Sequence, residues 1–304
     1  MRILLTGATG QLGKTLLPLL REQGEVFGVS RVECDLSSVD AIRKLVAEAR
    51  PTVIVNPAAY TAVDETEGNI EMAYAINRTA AGILAEEARK LGAMFVHYST
   101  DYVFDGAKQA AYTEDDEPVP LNVYGASKLA GERAVFAVGG RCLILRTSWV
   151  YGANGNNFLL TIRRLAHERD ELKIVDDQVG APTSSIEIAR ATASLVRKYS
   201  GVGEGSFPVG LYHLAAGGRV SWCGFARAIV AALGEHEAFR LQRILAISSR
   251  EYPTSARRPL NSVLCSGKFA RTFGFSLGCW ESGLAEVIRE IHSHESSGGS
   301  SQKT

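Results

Sequence analysis

The chain has 304 residues, 46% hydrophobic, 22% charged and 8% aromatic, a composition that excludes the disordered, collagenous and disulfide-rich classes. Its 33 Lys and Arg balance 33 Asp and Glu, which argues against any partner recognised through bulk charge, so neither nucleic acid nor a membrane surface is expected. The length predicts about two domains, or one large α/β unit with an added lobe, and needs no metal or disulfide staple to fold.

Short apolar runs predict strands at Arg2 to Thr6, Glu25 to Ser30, Val53 to Asn56, Ala93 to Ser99 and Cys142 to Arg146. Helical patterns lie between them at Gly13 to Gln23, Ser38 to Arg50, Glu67 to Leu91 and Asn122 to Val138. This alternation predicts an α/β fold, a Rossmann-type doubly wound parallel sheet over residues 1–150. Beyond it come a helix at Phe158 to Arg169, a strand at Leu172 to Val175, and helices at Ser185 to Tyr199, Ser221 to Leu233 and Trp280 to His292. The looser spacing predicts a smaller C-terminal α/β substrate lobe from 151–184 and 216–293, with about 185–215 returning to the first domain. The Ser/Gly/Lys-rich tail, 294–304, is expected to be disordered.

The five cysteines, Cys34, Cys142, Cys223, Cys265 and Cys279, are scattered without a CxxC pair and read as reduced thiols of a cytoplasmic protein. The N-terminus enters a glycine loop after too few apolar residues for a signal segment. His97, His167, His213, His236, His292 and His294 show no metal-ligand spacing, so no metal site is expected.

Gly7-Ala8-Thr9-Gly10-Gln11-Leu12-Gly13 joins the first strand to the first helix. Glycines there permit a tight turn, and the helix N–H groups can accept a pyrophosphate. The spacing is G-x-x-G-x-x-G rather than the usual G-x-G-x-x-G. Two other readings share these letters: a relaxed P-loop, Ala8-x4-Gly13-Lys14-Thr15, and a turn serving packing alone. The P-loop lacks its first Gly, and Val53-Ile54-Val55 ends in Asn56 where Mg²⁺ would want Asp. About twenty residues on, Ser30-Arg31-Val32-Glu33-Cys34-Asp35 stands where an adenosine ribose would lie. Ser30 and Arg31 offer a hydroxyl and a cation to a 2′-phosphate, favouring NADPH with NADH as the alternative. The plain reading leaves Arg31 as a solvated cation and Asp35 at a helix start.

Tyr124 and Lys128 are four apart, which stacks them on one helix face, and a neighbouring ammonium would draw the phenol towards the working pH range. That spacing alone also suits an ordinary helix surface. Gly125 and Gly131 inside the same helix hint at close backbone packing. Ser99, Thr100 and Asp101 end the fourth strand, at the sheet edge where ligands sit in such folds, although a Ser/Thr/Asp turn bonding its own backbone explains them equally.

Together the glycine loop, Ser99-Thr100-Asp101-Tyr102-Val103-Phe104, Tyr124-x-x-x-Lys128, Arg146-Thr147-Ser148-Trp149-Val150-Tyr151-Gly152, Asp176-Asp177-Gln178-Val179-Gly180-Ala181-Pro182-Thr183 and Ala256-Arg257-Arg258-Pro259-Leu260-Asn261-Ser262 closely resemble the dTDP-4-dehydrorhamnose reductase family of extended short-chain dehydrogenases/reductases. The resemblance runs from residue 1 to about 290. It implies NADPH-dependent reduction of the C4 keto group of a dTDP-linked deoxysugar, with Thr100, Tyr124 and Lys128 catalytic and Lys128 lowering the Tyr124 pKa. It implies cofactor contacts at Gly7, Gly10, Gln11, Leu12, Gly13, Ser30, Arg31, Asp35, Leu36, Ala58, Ala59, Tyr60, Tyr124 and Lys128. Thr61, Asp101, Trp149, Asn157, Pro182, Thr183, Arg257 and Arg258 would meet the sugar nucleotide.

Some relatives dimerise through acids that gather Mg²⁺, one just after the glycine loop. Here Lys14-Thr15 stands there, with an acidic match at Glu187, which leaves Mg²⁺ and a homodimer open. Asp64-Glu65-Thr66-Glu67 is expected to complement the positive end of its own helix. The alternatives are a reductase or epimerase of another nucleotide-linked deoxysugar, and a noncatalytic regulatory subunit resembling that of methionine adenosyltransferase.

Overall fold

Strand and helix alternate from the first residues, as the patterning predicts. In order come β1 (Arg2–Leu5), α1 (Gln11–Arg21), β2 (Glu25–Gly28), α2 (Val39–Ala49), β3 (Val53–Asn56), α3 (Val63–Thr66), α4 (Ile70–Tyr74), α5 (Ala81–Lys90), β4 (Met94–Thr100), α6 (Val123–Val138) and β5 (Cys142–Thr147). There follow β6 (Val150–Tyr151), α7 (Phe158–Glu168), β7 (Glu171–Val175), β8 (Val179–Gly180), β9 (Thr183–Ser184), α8 (Ser185–Tyr199), β10 (Gly210–His213), β11 (Val220–Ser221), α9 (Trp222–Gly234), β12 (Arg243–Ile247), α10 (Gly267–Phe273) and α11 (Trp280–Gly298). This computed structural model describes residues 1–298, with side chains to residue 293. Helix α11 thus continues past residue 294, where the disordered tail was expected to begin, and 299–304 lie outside the described residues.

Six strands form one parallel sheet in the order β2-β1-β3-β4-β5-β10. Alternate residues of each strand serve opposite faces. Ile3, Leu5, Val53, Val55 and Val96 pack with Leu16 and Leu20 of α1 and Ile188 and Leu195 of α8. Leu4, Ile54, Phe95 and Ile144 pack with Ile42 of α2, Leu84 of α5 and Val135 of α6. Both faces are covered, as a parallel sheet requires. The strand order reverses between β1 and β3, so the loops after these two strands flank a crevice at the carboxyl edge.

Side-chain caps set several helix starts. Ser38, Asn122, Asn157, Ser184 and Ser221 each accept an N–H from the first turn of α2, α6, α7, α8 and α9. The expected helix over Glu67 to Leu91 is interrupted: Ala75–Ala80 is π-helical, between α4 and α5. This segment meets α6 where a Cβ at Gly131 would stand 2.1 Å from the Asn77 carbonyl oxygen, so helix and bulge touch through backbone.

A separate cluster gathers Tyr151, Leu159, Ile162, Phe225, Ile229, Val287 and Ile288. Around it lie three two-stranded sheets, β7 with β12, β8 with β11 and β6 with β9. Neither β10 nor β12 was expected from the sequence. The first is a four-residue Gly-Leu-Tyr-His segment, and the second is mostly exposed and pairs only with β7.

Glu132 of α6 and Arg146 of β5 form a buried two-toothed ion pair, Nε to Oε1 at 2.8 Å and Nη2 to Oε2 at 2.6 Å, with the guanidinium over the Phe104 ring. Removing one partner leaves the other charge buried and unpaired. Glu132→Ala is expected to destabilise the fold by about 3–5 kcal/mol, read by urea unfolding; a loss within error would show that the pair contributes nothing.

Candidate active site

The glycine loop is built by close approach. Gly7 has φ +57°, and a Cβ there would lie 3.0 Å from the Ala58 Cα in the loop after β3. A Cβ at Gly13 would lie 2.0 Å from the Gly7 carbonyl oxygen. The first-turn amides of α1, at Gln11 to Gly13, have no acceptor within the helix, and Gly10 caps it without a side chain. A cleft of about 710 Å³ runs from this loop along the crevice. Gly7, Gly10, Gln11, Leu12, Gly13, Ser30, Arg31, Asp35, Leu36, Ala58, Ala59 and Tyr60 all line it. Lys14 and Thr15 do not, and the Thr15 hydroxyl bonds the Gln11 carbonyl and Ser185, so the P-loop reading has no geometry behind it. Asn77 fixes the third wall: its Oδ1 accepts from Tyr60 N at 2.9 Å, and its Nδ2 donates to Tyr60 O at 3.1 Å and Ser127 Oγ at 2.9 Å.

At one end of the cleft the chain turns after β2. Glu33 folds back, accepting from Ser30 N at 2.7 Å and from the Ser30 hydroxyl. These bonds hold its carboxyl below the usual range. Arg31 is exposed beside it. The strand end expected to present a hydroxyl and a cation thus also carries a carboxylate.

At the other end stand Thr100, Tyr124 and Lys128. Helix α6 reaches the end of β4 because residue 125 is glycine: a Cβ there would be 2.1 Å from the Tyr102 carbonyl oxygen. Thr100 Oγ1 donates to Asp101 Oδ1 at 3.0 Å, accepts from Tyr102 N at 3.2 Å and faces the Tyr124 phenol. Burial pushes that phenol up to about 12, against the opposing effect of Thr100. The buried Lys128 donates to the Tyr98 carbonyl at 2.6 Å, and burial draws its ammonium down to about 8. Lowering of the Tyr124 pKa by Lys128 was expected and does not occur: the ammonium is turned to Tyr98, and loss of water dominates at the phenol. Burial also raises the Asp101 carboxyl to about 7.

The substrate residues expected from the sequence divide. Thr61, Asp101 and Trp149 line the cleft; Asn157, Pro182, Thr183, Arg257 and Arg258 do not. Asn157 caps α7 and donates to the Gly152 and Asn154 carbonyls, and Thr183 Oγ1 is engaged by Ala181 O and Ala216 N. Both are short polar side chains whose bonds go to backbone groups. Pro182 is buried and Arg257 is exposed. Arg258 is held by Asp64.

Trp222 and Asn156 line the cleft without having been singled out. Trp149 adopts φ +46°, rare for a side-chain-bearing residue, with its ring over Gly180 and its Nε1 donating to Ser262 Oγ at 3.1 Å. Trp222 stacks flat on it, ring centroids 3.4 Å apart and planes 3° apart. Only a contact across distant elements reveals Trp222; nothing local at the start of α9 does. Among the described residues no group of three or more His, Cys, Asp or Glu is placed to hold a metal ion. Glu187 instead accepts from Ser184 Oγ and Gly278 N, both at 3.1 Å. All five cysteines are free, three of them buried.

A model of the family described as RmlD substrate binding domain matches residues 1–293. The chain belongs to this family. It is similar to dTDP-4-dehydrorhamnose reductase of Burkholderia thailandensis, 45% identical with 96% of this chain and 99% of the relative covered. Among solved structures it resembles dTDP-4-dehydrorhamnose reductase of Bacillus anthracis in complex with NADP, with TM-score 0.88, 34% identity, and 95% and 99% of the two chains covered. The Clostridium acetobutylicum orthologue matches with TM-score 0.89, 37% identity, and 96% and 100% covered. The family is one of Rossmann-type α/β oxidoreductases, in keeping with the sheet described above. No helix among the described residues is long and apolar enough to cross a membrane.

Proposed function

We propose that the protein reduces the C4 carbonyl of dTDP-4-dehydro-L-rhamnose to dTDP-L-rhamnose with NADPH, as a cytoplasmic enzyme. One observation carries the reading: a half-buried, protonated Tyr124 phenol beside Thr100 stands at one end of a cleft whose far wall is a glycine cradle, in a chain matched over nearly its whole length by reductases of that substrate. The cradle fits a dinucleotide, since Gly7 and Gly13 leave no room for side chains against the backbone around the α1 amides. Residues 1–150 with 185–215 would hold the cofactor, and the remainder to 293 the sugar nucleotide.

When bound, the reduced nicotinamide supplies hydride to the carbonyl carbon. Negative charge then develops on the carbonyl oxygen, where Tyr124 is a preorganised donor and the Thr100 hydroxyl would turn from Asp101 to join it. The high phenol pKa is an asset in this direction: Tyr124 keeps its proton until an alkoxide, a far stronger base, forms beside it and takes it. Lys128 adds a fixed positive charge at the closed end of the cleft. Asp101, Thr61 and Trp149 would border the sugar.

Tyr124→Phe is expected to lose 10²-fold or more of kcat, the order general-acid catalysis contributes, while still binding NADPH in a fluorescence titration. Near-normal kcat would remove Tyr124 as proton donor. The Lys128 ammonium is charged below its folded pKa of about 8 and neutral above it. Turnover is therefore expected to fall as pH rises through about 8, well before the phenol titrates; a plateau to pH 10 would contradict this. NADPH is favoured by Arg31 and opposed by Glu33, whose carboxylate occupies the Ser30 donors. Glu33→Gln should raise the NADPH-to-NADH ratio of kcat/KM about tenfold, the effect of one like-charge contact of about 1.4 kcal/mol, and Arg31→Asp should lower it. Unchanged ratios would make both residues bystanders.

A further inference from the structure

The acidic run after β3 opens its own short helix, with Asp64 and Glu65 in the first turn as expected, and two of its acids also reach other segments. Asp64 Oδ2 accepts from Arg258 Nη2 at 2.6 Å, and its Oδ1 from Arg258 Nη1 at 3.2 Å and Ala256 N at 3.0 Å. The guanidinium holds the Asp64 carboxyl below its ordinary range. Glu67 Oε1 accepts the Val123 N–H at 2.8 Å. Val123 opens α6, so its amide is one of those a helix leaves without an internal partner, and it immediately precedes Tyr124. Asn122 completes the junction: Oδ1 takes the Gly125 N–H and Nδ2 donates to the Arg257 carbonyl, both at 2.8 Å.

Three segments far apart in sequence are thus tied at one rim of the cleft: 64–67, the start of α6 and 256–258. The rim is in contact with the site itself. Val63, next to Asp64, lines the cleft; Arg258 faces the Tyr102 phenol; and Tyr102 meets the Tyr124 ring edge-on with centroids 5.8 Å apart.

We propose that Asp64 and Glu67 act as a two-headed clamp, positioning residues that set the 256–258 strap through Arg258 and the Tyr124 turn through Val123 for the incoming sugar nucleotide. This rests on the reading of the cleft as a nucleotide-sugar reductase site. Arg258 is then neutralised by its partner and acts by holding the strap rather than as a free cation. The Asp64 and Arg258 side chains are 44% and 20% exposed, and a pair so open to water adds little to folding. Its loss should therefore register in ligand affinity more than in stability.

Asp64→Asn, Arg258→Gln and the double variant are compared with the wild type by calorimetry with dTDP, by fluorescence titration with NADPH, by thermal melting and by steady-state kinetics. Each single variant should bind dTDP about tenfold more weakly and show a tenfold higher KM for dTDP-4-dehydrorhamnose. NADPH affinity should stay within twofold, kcat within threefold, and the double variant should be no worse than either single one. Unchanged dTDP affinity, additive losses, or a parallel loss of NADPH affinity and melting temperature would overturn the clamp. A wild type that binds dTDP without turnover would defeat the reductase reading alone, since the affinity comparison still decides the clamp.

Discussion

Everything chemical in this protein depends on how closely helix α6 sits on the end of strand β4. The approach is limited by backbone: Gly125 lies against the Tyr102 carbonyl, and Gly131 six residues on lies against the Asn77 carbonyl, each position having no room for a Cβ. Two glycines in a helix cost about 1 kcal/mol each relative to alanine. In return the helix presents Tyr124 to Thr100 and Lys128 to the Tyr98 carbonyl, with Lys128 buried and Tyr124 half-buried, both largely shielded from water. The same exclusion moves the two groups in opposite directions, the phenol up and the ammonium down, because each is pushed towards its neutral form. A shielded, neutral phenol is suited to giving a proton to an oxygen that is becoming an alkoxide.

The parallel sheet, the glycine cradle and the polar strand end that borders the cleft were legible in the sequence because each is written locally. Apolar runs of four to seven residues mark the strands, and the G-x-x-G-x-x-G loop sits between the first strand and helix. The Tyr124 and Lys128 spacing alone says little; the glycines interleaved with it carried the better hint, and close packing is what they serve. What escaped is what depends on distant contacts. The π-helical turn at Ala75–Ala80 answers to α6, the Trp149 and Trp222 stack joins elements more than seventy residues apart, and β12 becomes a strand only by pairing with β7.

The expected substrate residues that lie off the cleft share a physical reason. Asn157 and Thr183 look like ligand groups, yet their side chains are consumed by caps and nearby carbonyls and amides. Arg258 looks like a phosphate cation, yet an acid from the other end of the chain holds it. Charges that balance at 33 and 33 over the chain are also balanced locally, at Asp64 with Arg258 and Glu132 with Arg146. Anionic ligands would be met by helix amides and single cations rather than by a positive field.

The central claim is that hydride reaches C4 of the sugar while Tyr124 protonates its oxygen. The most direct measurement supplies NADPH deuterated at the transferred position together with dTDP-4-dehydrorhamnose and locates the label in the product by NMR. The account predicts one deuterium at C4 of dTDP-L-rhamnose and one NADP⁺ released for each sugar reduced. An unlabelled product, or label at any other carbon, would contradict it.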